Sequence, residues 1–104
     1  MISKTEALIV LDRDGMRCRF CSNLGTELHH IYFKSSYIVP KKHLDTHRNL
    51  FNLCRRCHSE IHAYTPRGKE LDRKAKTWVM DNHNWDKSVK EKMKLKLTRL
   101  KLNK

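Results

Sequence analysis

The chain has 104 residues, 38% of them apolar, with four cysteines and a formal net charge of +12. That length fits one domain with a modest core, the kind that often needs a metal or disulfide staple. A mean hydropathy of -0.77 and the lack of any apolar run near the roughly 18 residues of a membrane helix argue for a soluble protein without membrane contact. The opening MISKTEALIV lacks the layout of a signal peptide, so an intracellular, cytoplasmic location is expected.

Ser3-Lys4-Thr5-Glu6 has the S-x-x-E form of a capping box and leads into an apolar run over 7–11, which marks a helix start. Gly15 suits its end in a left-handed conformation. MRCRFC at 16–21 carries the first C-x-x-C, and residues 22–25 read as a turn. ELHHIYF at 27–33 suits a strand, with Leu28, His30 and Tyr32 on one side and His29, Ile31 and Phe33 on the other. Residues 34–48 read as a loop broken by Pro40, and 49–53 as a second strand. The chain then turns into a helix bearing His58 and His62, closed by Thr65-Pro66-Arg67-Gly68.

A helix is expected over 69–81, with Leu71, Ala75, Trp78 and Val79 near one face. After a break at 82–85, Asp86 suits the N-cap of a last helix. In it Val89, Met93, Leu97 and Leu100 form an apolar stripe. That helix has two readings: its lysines contact phosphates, or its stripe packs on the domain or on a partner.

Residues 1–63 hold 10 basic and 6 acidic side chains, whereas 64–104 hold 13 and 5. The excess points to polyanions, nucleic acid first, since solubility alone rarely needs so much charge of one sign. Lys41, Lys42, Arg48, Arg55 and Arg56 are the candidate phosphate contacts near the motifs.

Cys18-x-x-Cys21 and Cys54-x-x-Cys57 are two knuckles at long separation. Each presents two thiolates to one ion, so a tetrahedral zinc site fits them better than two disulfides in a reducing compartment. A single C-x-x-C would also fit a redox motif, but the pair does not.

The order C-x-x-C, His29-His30, Asn49, C-x-x-C-His58, His62 resembles the core of the HNH endonucleases, over about residues 16–62. LHHI and NLFNLCRRCH carry the likeness, with Asn49 nine residues before His58. The resemblance implies an α+β fold: a small ββα-metal core with two zinc knuckles over 1–66, flanked by an N-terminal helix and a basic helical C-terminal extension over 67–104. It implies His30 as general base and His29, His58 and His62 as ligands of a catalytic Mg²⁺ or Mn²⁺, a site that Zn²⁺ or Ni²⁺ also suits. Asn49 is then a side-chain brace holding the base-bearing strand, and the cysteines hold a structural Zn²⁺.

Chemistry agrees with that division. Phosphodiester hydrolysis needs an activated water, a neutralised phosphate and a stabilised leaving oxygen. A neutral imidazole supplies the first and a divalent ion the other two. His58 and His62, at i and i+4, share one helix face. The implied activity is metal-dependent cleavage of DNA to 5′-phosphate and 3′-hydroxyl ends: nicking by a monomer, double-strand cutting by a homodimer. The setting is a phage or mobile element, including the cytoplasm of an infected host, or a packaging, recombination or restriction complex. The alternatives are a non-catalytic zinc-stapled nucleic-acid-binding module and an assembly subunit.

Overall fold

The computed structural model describes residues 1–25 and 27–102, and of 101 and 102 the backbone alone. Residues 103–104 of the expected C-terminal extension lie outside the described residues. Among these the chain is α+β, with one two-stranded antiparallel sheet and five α-helices. No described helix is long and apolar enough to cross a membrane.

Helix α1 spans Lys4–Arg13 and is capped by Ser3, whose Oγ accepts the Glu6 N–H at 3.1 Å. The capping box closes only halfway. The Glu6 carboxylate instead accepts the His47 N–H and meets the His47 ring Nδ1, both at 2.7 Å, and so ties α1 to the chain ahead of the second strand. Gly15 follows in the left-handed region at φ +62°. The covered Asp14 carboxylate receives Arg13 Nε at 2.8 Å, Arg19 Nη1 at 3.0 Å and the Asn52 N–H at 3.0 Å. Both guanidinium groups lie over the rings of Phe51 and Trp78. Trp78 therefore packs, and α1 and the first knuckle are fixed to the back of the sheet.

Strand β1 is Glu27–His30 and β2 is Leu50–Leu53, with Glu27 opposite Leu53 and His30 opposite Leu50. The strand expected over 27–33 is three residues shorter, and Asn49, expected in the second strand, ends a 3-10 turn over His47–Asn49. Asn49 explains both differences. Its carbonyl accepts the Ile31 N–H at 2.9 Å. Its side chain accepts the Tyr32 N–H at 2.8 Å and donates to the Tyr32 carbonyl at 2.9 Å. A side chain thus replaces the next rung of the ladder, and the chain leaves the sheet. The segment expected as a loop contains a 3-10 turn at Lys34–Ser36 and a one-turn helix, α2, at Lys41–Leu44.

Helix α3 spans Arg55–Ala63, N-capped by Cys54 and ended by Tyr64 in the left-handed region. Thr65 to Gly68 does not close this unit but opens α4, Pro66–Asn82. Thr65 Oγ1 accepts the Gly68 N–H at 2.9 Å, and Pro66 sits at the first helical position, where its missing N–H costs nothing. Gly68 marks the closest approach of α4 to α3, because a Cβ there would overlap the Glu60 carbonyl. Leu71, Ala75 and Val79 of α4 are buried against Ile61, Phe51 and Leu53. Helix α5, Lys87–Leu102, adds Val89 and Met93 to the same core, while Leu97 and Leu100 are only half-buried.

Candidate functional site

The four cysteines come together. Cys18 and Cys21 lie in the first knuckle, which is closed by the Cys18 N–H on the Asn23 carbonyl at 2.7 Å and anchored by the Arg19 N–H on the Asn52 carbonyl at 3.0 Å. The Asn52 side chain packs against Gly25, where a Cβ would collide with it. Asn52 therefore braces the knuckle. Cys54 and Cys57 open α3. The four Sγ atoms lie within 4.8 Å of one another, all as free thiols, with Cys21 and Cys54 at 3.5 Å.

The thiols differ in acidity. Burial works against the Cys18 thiolate, but the N–H groups of Cys54, Phe20 and Cys21 bring it down to about 7. Burial pushes Cys57 up to about 12, although Arg67 Nη2 donates to its Sγ at 3.3 Å. Four thiolates in so small a volume repel one another, and a zinc ion is the partner that such a donor set suits. Arg67, paired also with Glu60, ties α4 to this cluster.

One residue further along α3 a second cluster begins. The nitrogens of His29, His58 and His62 also lie within 4.8 Å of one another. His29 comes from β1, and its Nε2 is buried without a hydrogen-bond partner. Burial, then the neighbouring His58 and His62, lowers its pKa to about 3, so the ring is a neutral donor. His58 Nδ1 bonds Glu27 at 2.6 Å, which leaves its Nε2 facing His62 Nε2 at 2.9 Å. The contact with His58, and then the charge of Arg55, holds the Glu27 carboxyl below its usual range. His62, exposed, stacks on Phe33 with ring centroids 5.7 Å apart.

His29 and His30 were expected on opposite faces, yet both line one open hollow of about 620 Å³ with Phe33, Lys34, Lys41 and Asp45. His30 is the last strand residue. Its Nε2 meets Asp45 Oδ1 at 2.8 Å. The Met1 amine and then the His30 ring keep the Asp45 carboxyl below its usual range, so Asp45 is the acceptor and the His30 Nε2 carries the proton. The Asn49 amide, fully buried, holds Tyr32 and also donates to the Leu44 carbonyl at 3.0 Å, which fixes the chain on either side of this hollow.

The five candidate phosphate contacts have different surroundings. Lys41 stands on the rim of the hollow, and Lys42, exposed beside it, does not line it. Arg48 donates to the Asn84 carbonyl at 3.0 Å and covers the Trp85 ring. Arg55 and Arg56 project from the first turn of α3, 3.7 Å from Glu27 and Glu60. Sequence reasoning passed over Glu27 and Asp45. The available signal was that Asp45 is the sole acidic residue between Glu27 and Glu60, in a stretch rich in histidine.

Comparison with protein-family models, with curated proteins and with solved structures gives no match for this chain.

Proposed function

We propose that the chain is a metal-dependent DNA endonuclease of the HNH type. The observation that carries this reading is the convergence of His29, His58 and His62 beside His30 in one hollow. A ββα-metal core made of β1, β2 and α3 would place them. The residues fit a divalent ion: His29 offers a buried, unpartnered nitrogen, and three imidazoles leave positions open for substrate. When bound, Mg²⁺ or Mn²⁺ would supply positive charge to the phosphate and to the departing 3′ oxygen.

The chain's own groups do the rest. His30 takes the proton of the attacking water as the new P–O bond forms and the P–O3′ bond breaks. Asp45 fixes the His30 tautomer and ring plane. Glu27 turns the His58 Nε2 inward, and Asn49 holds the backbone just past His30. Lys34 and Lys41 line the same hollow and favour a phosphate there. A zinc ion held by Cys18, Cys21, Cys54 and Cys57 would fix the first turn of α3, from which His58 projects.

The test is relaxation of supercoiled plasmid with added Mg²⁺ or Mn²⁺, with an EDTA control and His30→Ala alongside. Wild type should nick, and the EDTA and His30→Ala arms should not. Nicking by His30→Ala at the wild-type rate would remove His30 from its role. Retardation of the plasmid without nicking would leave a zinc-stapled binding module in place of a nuclease.

A further inference from the structure

Four hollows adjoin one another around residues 33–41. The hollow holding the histidines shares Phe33 and His62 with a second, and Lys34, Lys41 and Leu44 with a third. The third shares Tyr37 with a fourth, whose far wall is Lys92, Lys96 and Arg99 of α5. Neighbouring hollows with shared walls therefore lead from the histidines, past Tyr37, to α5. Their acidic residues, among the described residues lining them, are Asp45 and Asp72, engaged by His30 and Lys76. Their remaining charge is positive.

Two features stand out along them. Lys92, Lys96 and Arg99 fall at i, i+4 and i+7 and form a strip of α5 that borders the side on which Val89 and Met93 are buried in the core. Tyr37 is 82% exposed and left-handed at φ 55°, a conformation uncommon for a bulky residue. Its own N–H bonds the Lys34 carbonyl at 3.2 Å, which closes the turn that carries the ring outward. An aromatic ring held out between two groups of cations is the chemistry that takes up unpaired bases: the cations follow phosphates and the ring stacks on a base. A base within a duplex is already stacked on both faces and offers none to Tyr37.

We propose that Tyr37, with Lys92, Lys96 and Arg99, is a track for a single DNA strand, so that the substrate carries unpaired nucleotides beside the cut. The placing of the cut rests on the endonuclease reading, whereas the track is a statement about binding. The phosphate contacts of α5 then lie along the edge of its apolar stripe.

Fluorescence anisotropy on the zinc-loaded full chain, without added Mg²⁺ or Mn²⁺, tests it. The probes are a labelled strand of about 16 nucleotides, the upper end of single-strand site sizes, and its duplex. Wild type should bind the single strand more tightly than the duplex. Tyr37→Ala should weaken single-strand binding about 5- to 150-fold, the range for loss of one stacked base, and leave duplex binding unchanged. Tyr37→Phe should bind as wild type. Replacing Lys92, Lys96 and Arg99 together by Gln should lower the slope of log affinity against log salt by about 2. Tighter binding to duplex, wild-type single-strand affinity in Tyr37→Ala, equal losses on both probes, or an unchanged salt slope would each overturn the track. Tyr37-dependent binding by a protein that never nicks plasmid would remove the nuclease reading and keep the track. Nicking together with Tyr37-independent binding would do the reverse.

Discussion

Removing the Asn49 side chain tests the joint that ends the sheet. Three hydrogen bonds go at once: the amide oxygen with the Tyr32 N–H at 2.8 Å, and the amide nitrogen with the carbonyls of Tyr32 at 2.9 Å and Leu44 at 3.0 Å. Tyr32 and Asn49 are both 0% exposed, so in Asn49→Ala the two Tyr32 groups stay buried and unpaired. Each such group costs about 1–3 kcal/mol. Water entering the vacated polar space restores part of this, and the Leu44 carbonyl, nearer the surface, adds less. The net expectation is a loss of about 3 kcal/mol, or a fall of roughly 12–20 °C in Tm for a domain of this size.

Urea denaturation at fixed excess Zn²⁺, followed by circular dichroism, measures the loss without confusing it with loss of the metal. Asn49→Asp sharpens the test. It keeps an acceptor for the Tyr32 N–H but sets a carboxylate against two carbonyl oxygens, so at neutral pH it should be no more stable than Asn49→Ala. A value for Asn49→Ala within about 0.5 kcal/mol of wild type, as for an ordinary surface substitution, would refute the reasoning that this amide stands in for a rung of the sheet.

Gly68→Ala should destabilise the protein despite the helix propensity of about 1 kcal/mol in its favour, because the new methyl meets the Glu60 carbonyl and α3 and α4 must separate; chemical denaturation reads the sign directly. For Asp14, burial would raise the carboxyl, but Arg13, the Asn52 N–H and Arg19 together hold it below its usual value. Its stabilising contribution is therefore complete above the unfolded-state pKa of about 4 and is lost as pH falls through the lower folded value. The stability difference between wild type and Asp14→Asn should accordingly be constant near neutrality and shrink below about pH 4, in urea titrations at each pH. Chelation of zinc should abolish the cooperative unfolding transition, and added Zn²⁺ should restore it, followed by circular dichroism.

What the sequence made legible was what lies close along the chain. Two C-x-x-C knuckles and a His pair at i and i+4 are each short-range geometry, legible from spacing, whereas the joining of His29 to His58 and His62 was implied by the resemblance to the HNH endonucleases. The carboxylates behind the histidines are a different matter. Glu27 reaches His58 across 31 residues and Asp45 reaches His30 across 15, and no spacing announces either contact. Thr65-Pro66-Arg67-Gly68 was ambiguous for another reason. A Thr-Pro step and a nearby glycine suit a turn, but they equally suit an N-cap, a first helical position and a close helix crossing, and packing against Glu60 decides between them. The strand over 27–33 was too long because its alternating pattern continues past His30, whereas its hydrogen-bond partner becomes a side chain.

The run CRRCHSEIH joins the two clusters without sharing a ligand between them. Cys54 caps α3 and Cys57 lies in its first turn, while His58 is rotated about 100° onward by the pitch of the helix, away from the knuckle and toward β1. The dependence between the clusters is therefore unequal. A zinc ion on the four cysteines would fix the entry angle of α3, and with it His58 and His62. An ion on the histidines would have less to fix, because α3 is already held by buried Ile61, by the Gly68 crossing and by Arg67 on Glu60. Under the endonuclease reading, such a site could exchange its ion while the helix presenting its ligands stays in place.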